Sequence, residues 1–495
     1  MSLKNWPLRT RLLNEESTPG HFAHSLPKNW AKGPSSQTPK NARKSPLGLP
    51  QMSELGVVRH YTRLSQLNYS IDGGLYPLGS CTMKYNPRIN ETTASLPGFT
   101  QIHPLAPETF VQGALELMYR LENVLAEISG FARVTLQPGA GAMGEYTGIQ
   151  MIRACLTERG NPRKKLLIPE SAHGTNCATA TMCGYEVVPL KAGPQGIVDP
   201  NEVDRLAADP DVAGIMITNP NTVGLFETEI QKICSIIHER GGLVYCDGAN
   251  MNAMLGITRP GDAGIDVMHF NMHKTFTTPH GGGGPGCGGA GVSKVLVPYL
   301  PSPTVEKDPK HDSQFILDFD RPKSIGKVKD HYGHFLMMVR AYTYIRELGA
   351  EGIRKAGEDA ILLANYVRAR LKGHFEVAFD RACMHEVVFN DKIQQKNGVK
   401  TLDIAKRLID EGFHPPTVYF PLIVPGALMI EPTETEDLAS VEAFCQAMIK
   451  IAGEAAEPGA FEKYFKDCPK TMPFGRVNET QAAKDLILTW MDTQR

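Results

Sequence analysis

Apolar residues at Val111, Leu115, Met118, Leu121, Leu125 and Ile128 recur every three or four positions, and Gly130 follows them. That period lays them along one face of a helix, and the glycine marks its end. A strand-like run over 131–136 comes next, then the small-residue turn Gln137-Pro-Gly-Ala-Gly-Ala-Met-Gly144, then a helical run over 145–158. The alternation continues. Strands are expected at 166–168, 186–190, 212–218, 243–246 and 267–270, with a small-residue helix ending at 183 and helices over 200–208 and 227–240. Short apolar strands separated by helices predict an α/β fold, a largely parallel sheet covered on both faces.

Beyond Leu300 the pattern changes. A polar, proline-containing stretch leads to helical runs over 331–348 and 352–371, strands at 375–379, 385–389 and 427–430, and helices at 401–411 and 438–451. This predicts a smaller α+β domain with an antiparallel sheet. The first fifty residues carry Pro19, Pro27, Pro34, Pro39, Pro46 and Pro50 and predict an extended arm, either disordered or laid over a neighbour. The expected division is therefore 1–110 as arm and active-site loop segment, 111–330 as the large α/β domain, and 331–495 as the small C-terminal domain.

Composition narrows the class. The 42% apolar and 21% charged content is that of a globular chain with ample core, and a net charge of −1 gives no electrostatic reason to expect nucleic acid or an anionic membrane as partner. Ten cysteines are scattered without a C-x-x-C pair, which argues against the common zinc spacings and for a reducing compartment. No run is apolar enough to span a bilayer and the N-terminus lacks a secretory core, so the cytoplasm is the expected location. No metal site is expected.

In parallel sheets, ligands sit beyond the carboxyl ends of the strands. His173, Asn219, Thr222, Asp247, His273 and Lys274 all fall at such ends. Lys274 also precedes a glycine run over 281–286 that would let another group approach the main chain closely. An amine so placed is suited to attack a carbonyl. An aldehyde cofactor with a phosphate and a ring nitrogen needs an amine, an anion cradle, a carboxylate and a flat group. Lys274 can supply the first, the Ala140-Gly141-Ala142 turn at a helix start the second, Asp247 the third and His173 the fourth. Taken alone, the turn is a weak phosphate signal: it matches neither a Walker loop nor a dinucleotide fingerprint. The dense loop over 76–88, with Tyr76, Cys81 and Lys84, reads equally as a substrate entrance or as a plain surface loop.

Together, Leu78-Gly-Ser-Cys-Thr-Met-Lys84, Gln137-Pro-Gly-Ala-Gly-Ala-Met-Gly-Glu145, Ser171-Ala-His-Gly-Thr-Asn176, Asp247-Gly-Ala-Asn250 and Asn271-Met-His-Lys-Thr-Phe276 resemble the motifs of fold-type I pyridoxal-phosphate enzymes, and within them the P-proteins of the glycine cleavage system. The resemblance implies a fold-type I transferase-like large domain. It also implies pyridoxal 5'-phosphate bound covalently to Lys274, with Asp247 on the ring nitrogen and His173 stacked on the ring. Phosphate contacts would come from Ala140, Gly141, Ala142 and His273, and Thr222 would meet the ring hydroxyl. Catalysis would fall to Lys274 and His173, with Tyr76, Cys81 and Lys84 at the substrate entrance. The turn has Ala140 where many relatives have Ser or Thr, so anchoring would rest on main-chain N–H groups. In length the chain resembles the cofactor-bearing half of a split P-protein. The expected partners are then subunit 1, in an assembly of two copies of each, the lipoylated H-protein and glycine. The expected activity is decarboxylation of glycine with transfer of the aminomethyl group to the lipoyl arm. Another fold-type I lyase, such as an amino-acid decarboxylase or cysteine desulfurase, and a non-catalytic partner subunit are the alternatives.

Overall fold

The structure, a computed structural model, describes residues 11–22, 41–45, 47–282, 286–472 and 475–489. Two compact units are present, one of residues 74–468 and one of the segments before and after it. In the terminal unit the helix Glu54–Gln66 is capped by Ser53, whose hydroxyl accepts from the Gly56 N–H at 3.2 Å. Gln51 ties down the turn before it, accepting from the Gly20 N–H at 2.6 Å. Of the prolines expected in an extended arm, Pro27, Pro34, Pro39 and Pro46 lie outside the described residues.

The larger unit is built on a seven-stranded sheet: β1 (Arg133–Thr135), β2 (Lys165–Pro169), β3 (Glu186–Leu190), β4 (Val212–Thr218), β5 (Leu243–Asp247), β6 (Val267–Asn271) and β7 (Gly288–Val292). Its spatial order is β1-β7-β6-β5-β4-β2-β3, and β2 to β6 pair in parallel. β7, a strand the sequence pattern does not predict, runs antiparallel between β6 and β1, so the sheet is largely but not wholly parallel. Side chains alternate between two cores, as a pleated strand requires. Leu167, Ile215, Ile217, Val244, Cys246, Met268 and Phe270 face one side, packed on Leu115, Met118, Leu121 and Leu125 of the helix Gln112–Ser129. Leu166, Ile168, Ala213, Met216, Tyr245 and Val267 face the other, against Ile149, Met151 and Ile152 of the helix Gly141–Glu158.

A hairpin, β8 (Thr304–Asp308) with β9 (His311–Asp318), occupies the polar, proline-containing stretch, where the sequence pattern predicts no strand. The helix that follows runs from Phe335 to Leu371, broken only at Gly349, whose φ of 62° and ψ of −173° are open to glycine alone. Its first part packs in the large core through Met338, Val339, Ala341 and Tyr344. Its last part, through Ala364, Val367 and Leu371, packs in a second core. That core lies under an antiparallel sheet ordered β10 (Glu376–Val377), β11 (Val387–Asn390), β13 (Ala427–Ile430), β12 (Thr417–Val418). Val387, Phe389, Leu428 and Ile430 meet Phe444, Met448 and Ile451 of the helix Leu438–Ala456 there. No helix among the described residues is long and apolar enough to cross a membrane.

Candidate active site

The carboxyl ends of β2, β4, β5 and β6 converge on one edge of the large sheet, joined by the start of the helix Gly141–Glu158 that follows β1. A cavity of about 470 Å³ opens at that edge. Lys274, Asp247, His173, Thr222, His273, Ala140, Gly141 and Ala142 all line it, so strand ends separated by more than a hundred residues meet in one place.

Lys274 is carried by a single helical turn, Met272–Thr275, that follows the wholly buried β6. Asp247 closes β5 and is 3% exposed. One carboxylate oxygen accepts from the Ala249 N–H at 2.9 Å and the other from Asn176 Nδ2 at 3.0 Å. His269 Nε2 stands 3.5 Å away. Burial works to raise the Asp247 pKa, but His269, these donors and Lys274 outweigh it and hold the group below the ordinary carboxylate range. Asp247 is therefore charged at neutral pH.

The helix Gly141–Glu158 starts at Ala140 with no side-chain cap, which leaves its first N–H groups and its positive dipole end to an anion. It reaches the cavity because residue 141 is glycine: a Cβ there would stand 2.1 Å from Asn271 Oδ1. His173 caps the helix Gly174–Met182, Nδ1 accepting from the Thr175 N–H at 3.2 Å. Its ring is exposed and tilted toward Phe420 at 5.5 Å, and partial burial holds its pKa below the usual histidine range. Thr222 is buried and donates to the Ser171 carbonyl. Nδ1 of His273 lies 3.1 Å from the Cys287 carbonyl oxygen, and burial, aided by Lys274, lowers its pKa to about 4.

Tyr76, Cys81 and Lys84 do not form the cavity wall; from their loop only Ser80 does. Lys84 is buried and committed elsewhere, 2.6 Å from Glu434 Oε1 and donating to the Thr275 carbonyl at 2.8 Å. Tyr76 stacks on His414 with ring centroids 4.0 Å apart. Cys81 is half-buried within electrostatic reach of Lys274, and burial raises its thiol pKa.

The structure also adds residues. Glu145 is buried and accepts from Thr175 Oγ1 at 2.7 Å, Asn176 Nδ2 at 3.0 Å and Thr179 Oγ1 at 3.1 Å. Burial, then the charge of Asp247, raises its pKa to about 7. Asn176 thus bridges Glu145 and Asp247. His269 is fixed from behind by the Tyr245 hydroxyl at 2.6 Å. Its signal in the sequence was a histidine inside an otherwise apolar strand; Glu145 closes a motif whose glycines drew the attention.

A charged carboxylate, a lysine amine and an uncapped helix start face one another, and the buried oxygens of Thr218 and Asn250 at the wall have no hydrogen-bond partner among the described residues. This donor set fits a phosphate-bearing pyridine aldehyde.

Residues 144–283 match the model of the aminotransferase class-V family, and residues 356–467 that of the glycine dehydrogenase C-terminal domain. A protein of Caldanaerobacter subterraneus named "Probable glycine dehydrogenase (decarboxylating) subunit 2" is 53% identical over 90% of this chain and 91% of its own. One of the same name from Alkaliphilus oremlandii is 51% identical over 97% and 98%. Among solved structures, glycine decarboxylase (P-protein) of the glycine cleavage system in inhibitor-bound form superposes with a TM-score of 0.71 at 20% identity, over 83% of this chain and 93% of that one. The cysteine desulfurase CsdA of Escherichia coli gives 0.59 at 16%, over 80% and 98%. These two likenesses fix the fold as that of fold-type I pyridoxal-phosphate enzymes. With half its residues shared along nearly its whole length, the chain belongs to the family of glycine dehydrogenase (decarboxylating) subunit 2, pyridoxal-phosphate-dependent enzymes.

Proposed function

We propose that the chain decarboxylates glycine and passes the aminomethyl group to the lipoyl arm of an H-protein, working in the cytoplasm with a subunit 1 in an assembly of two copies of each. The observation that carries this reading is the meeting of Lys274, Asp247 and the uncapped helix start at one cavity. When bound, pyridoxal phosphate supplies a ring that draws electrons from the bond to the departing carboxylate. Lys274 holds the cofactor through its amine. The Asp247 carboxylate keeps a proton on the ring nitrogen, and Asn176 and the Ala249 N–H keep that carboxylate in place. The N–H groups at Gly141 and Ala142, with His273 beside them, hold the phosphate, His173 covers the ring face, and Thr222 meets the ring hydroxyl. The Tyr76–Lys84 loop shapes the entrance through Ser80, while Lys84 supports the Lys274 turn from behind. The relatives' names support glycine as substrate and a companion subunit; ten free cysteines support a reducing compartment.

The test is the visible spectrum of the purified chain with pyridoxal phosphate, with and without subunit 1, before and after glycine. Wild type should show the band of lysine-bound cofactor, respond to glycine and, with H-protein, release CO₂. A Lys274→Ala chain that kept both the band and CO₂ release would refute the reading, and a response to another amino acid but not glycine would redirect it to a different lyase.

A further inference from the structure

A second cluster of ionisable groups lies behind the Ser80–Thr82 loop. Glu386 immediately precedes β11 and Glu431 immediately follows β13. Val387 pairs with Ile430 in register, so the two glutamates stand side by side on adjacent antiparallel strands. Glu386 is 0% and Glu431 1% exposed. Each has one oxygen anchored to the loop: Glu386 Oε2 accepts from the Ser80 N–H at 2.9 Å, and Glu431 Oε2 from the Thr82 N–H at 3.2 Å. Their remaining oxygens have no hydrogen-bond partner among the described residues, and neither does either ring nitrogen of His385, which is wholly buried. His385 Nε2 stands 3.8 Å from Glu386 and 3.9 Å from Glu431.

The carboxylates have oxygens within 4.8 Å of each other, and two cannot both be charged at that separation in a dry site. The groups facing them are His385, Cys81, Lys274 and, on the segment after β13, Glu434, which is itself paired with Lys84. Burial pushes both glutamates above the ordinary carboxylate range, and Lys274 pulls in the opposite direction. His385 is neutral, lowered by burial to about 3. The cluster is joined to the cavity by Ser80, which lines the wall on one side and donates to Glu386 on the other. Ser80 and Thr82 both have positive φ, 64° and 43°, so the two glutamates clamp a loop held in a costly conformation beside Lys274.

We propose that Glu386 and Glu431 hold one proton between them and act as the proton store for the nitrogen of Lys274. The proton crosses through water in the cavity at Ser80: an O–H bond of the pair breaks as one forms on water, and an O–H bond of that water breaks as an N–H bond forms at Nζ, with the reverse when the nitrogen must be free; no electrons change hands. The role rests on the proposed attachment of cofactor at Lys274, but it does not depend on which amino acid is the substrate.

Infrared spectra of the full chain in H₂O and D₂O, titrated through neutral pH, test it by the stretch of protonated carboxyl groups. Glu122, Glu145 and Glu227 are also buried acids with raised pKa values, so the assignment comes from differences between variants. Glu386→Gln and Glu431→Gln should each move the midpoint of the same one-proton component downward, since the like-charged neighbour is gone while burial remains. Lys274→Ala, which leaves the pair intact, should move the component's midpoint upward by removing a cation. The rate at which pyridoxal phosphate attaches should fall on the order of 100-fold in either glutamine variant and lose its pH dependence near neutrality. A component absent from wild type, unshifted in Lys274→Ala, or unchanged in both glutamine variants overturns the proposal. So does a stoichiometric metal ion in the full chain, or an unaltered pH profile of attachment. None of these readouts uses glycine, so a failed decarboxylation assay leaves the proton store standing and a failed infrared titration leaves the proposed reaction standing.

Discussion

Gly141→Ala places a methyl group 2.1 Å from Asn271 Oδ1 and 3.1 Å from its Cγ. Asn271 is 4% exposed and its Nδ2 lies 3.2 Å from His269 Nε2, so it has little room to retreat without leaving the histidine beside Asp247. Overpacking of this kind costs about 1–3 kcal/mol, and a lost buried hydrogen bond about 0.5–1.5 kcal/mol more. The stiffer unfolded chain returns about 0.4–1 kcal/mol. The net cost is therefore about 0.5–4 kcal/mol. It falls on the helix start proposed to hold the phosphate, where it would weaken cofactor binding by about 2- to 1,000-fold. Gly113→Ala is the control: it lies in the first turn of another helix and its Cβ would meet nothing within 4 Å. Spectroscopic titration with pyridoxal phosphate and thermal melting of both variants make the comparison. Equal cofactor affinity and equal melting temperature in the two would refute the close-approach argument.

Lys84→Met breaks a buried ion pair and strips a donor from the Thr275 carbonyl, so it should destabilise the chain by about 3–5 kcal/mol in thermal melts, with part recovered in the Lys84→Met/Glu434→Gln double variant. Burial lowers the Lys84 pKa, but Glu434 and Tyr344 outweigh it and raise it above the ordinary lysine range. The stability it contributes is thus present through neutral pH and lost only as pH rises past its folded value. Glu122 acts in the same direction in a lower window: burial raises its pKa to about 8, so the folded chain keeps a proton the unfolded chain has lost, and stability falls as pH climbs from the ordinary carboxylate range toward 8. Glu122→Gln should therefore raise the melting temperature at pH 8 and leave it nearly unchanged at pH 4. Asp247→Asn should remove the charge and one of the two accepted hydrogen bonds, since its amide NH₂ cannot accept, and the cofactor's visible band should then shift because the ring nitrogen loses its proton; an unchanged band would dissociate Asp247 from that nitrogen.

Strands such as Val212–Thr218 were plain in the sequence because both faces are buried and every residue is small or apolar. β7 was not: Gly288-Gly-Ala-Gly-Val292 carries almost no side chain to show a period, and it is a strand because its neighbours β1 and β6 supply partners on both edges. The β8–β9 hairpin was hidden by its polar residues, since of its side chains Val305 and Phe315 enter the large core and Leu317 packs half-buried against it. At the site, residues at strand ends were legible from topology alone. Lys84 was not legible as a support, because its partner lies 350 residues away. Nor could Asn176 be seen to join Glu145 to Asp247, a contact made only by tertiary packing.

Gly349 bends the long helix, yet a side chain there would touch nothing. Its importance is therefore angular, not spatial. One rod is anchored at each end in a different hydrophobic mass, and a joint that contacts no neighbour sets the orientation between them. Any larger residue at this point would be rejected by torsion alone, and the strain would be felt simultaneously at both ends of the rod.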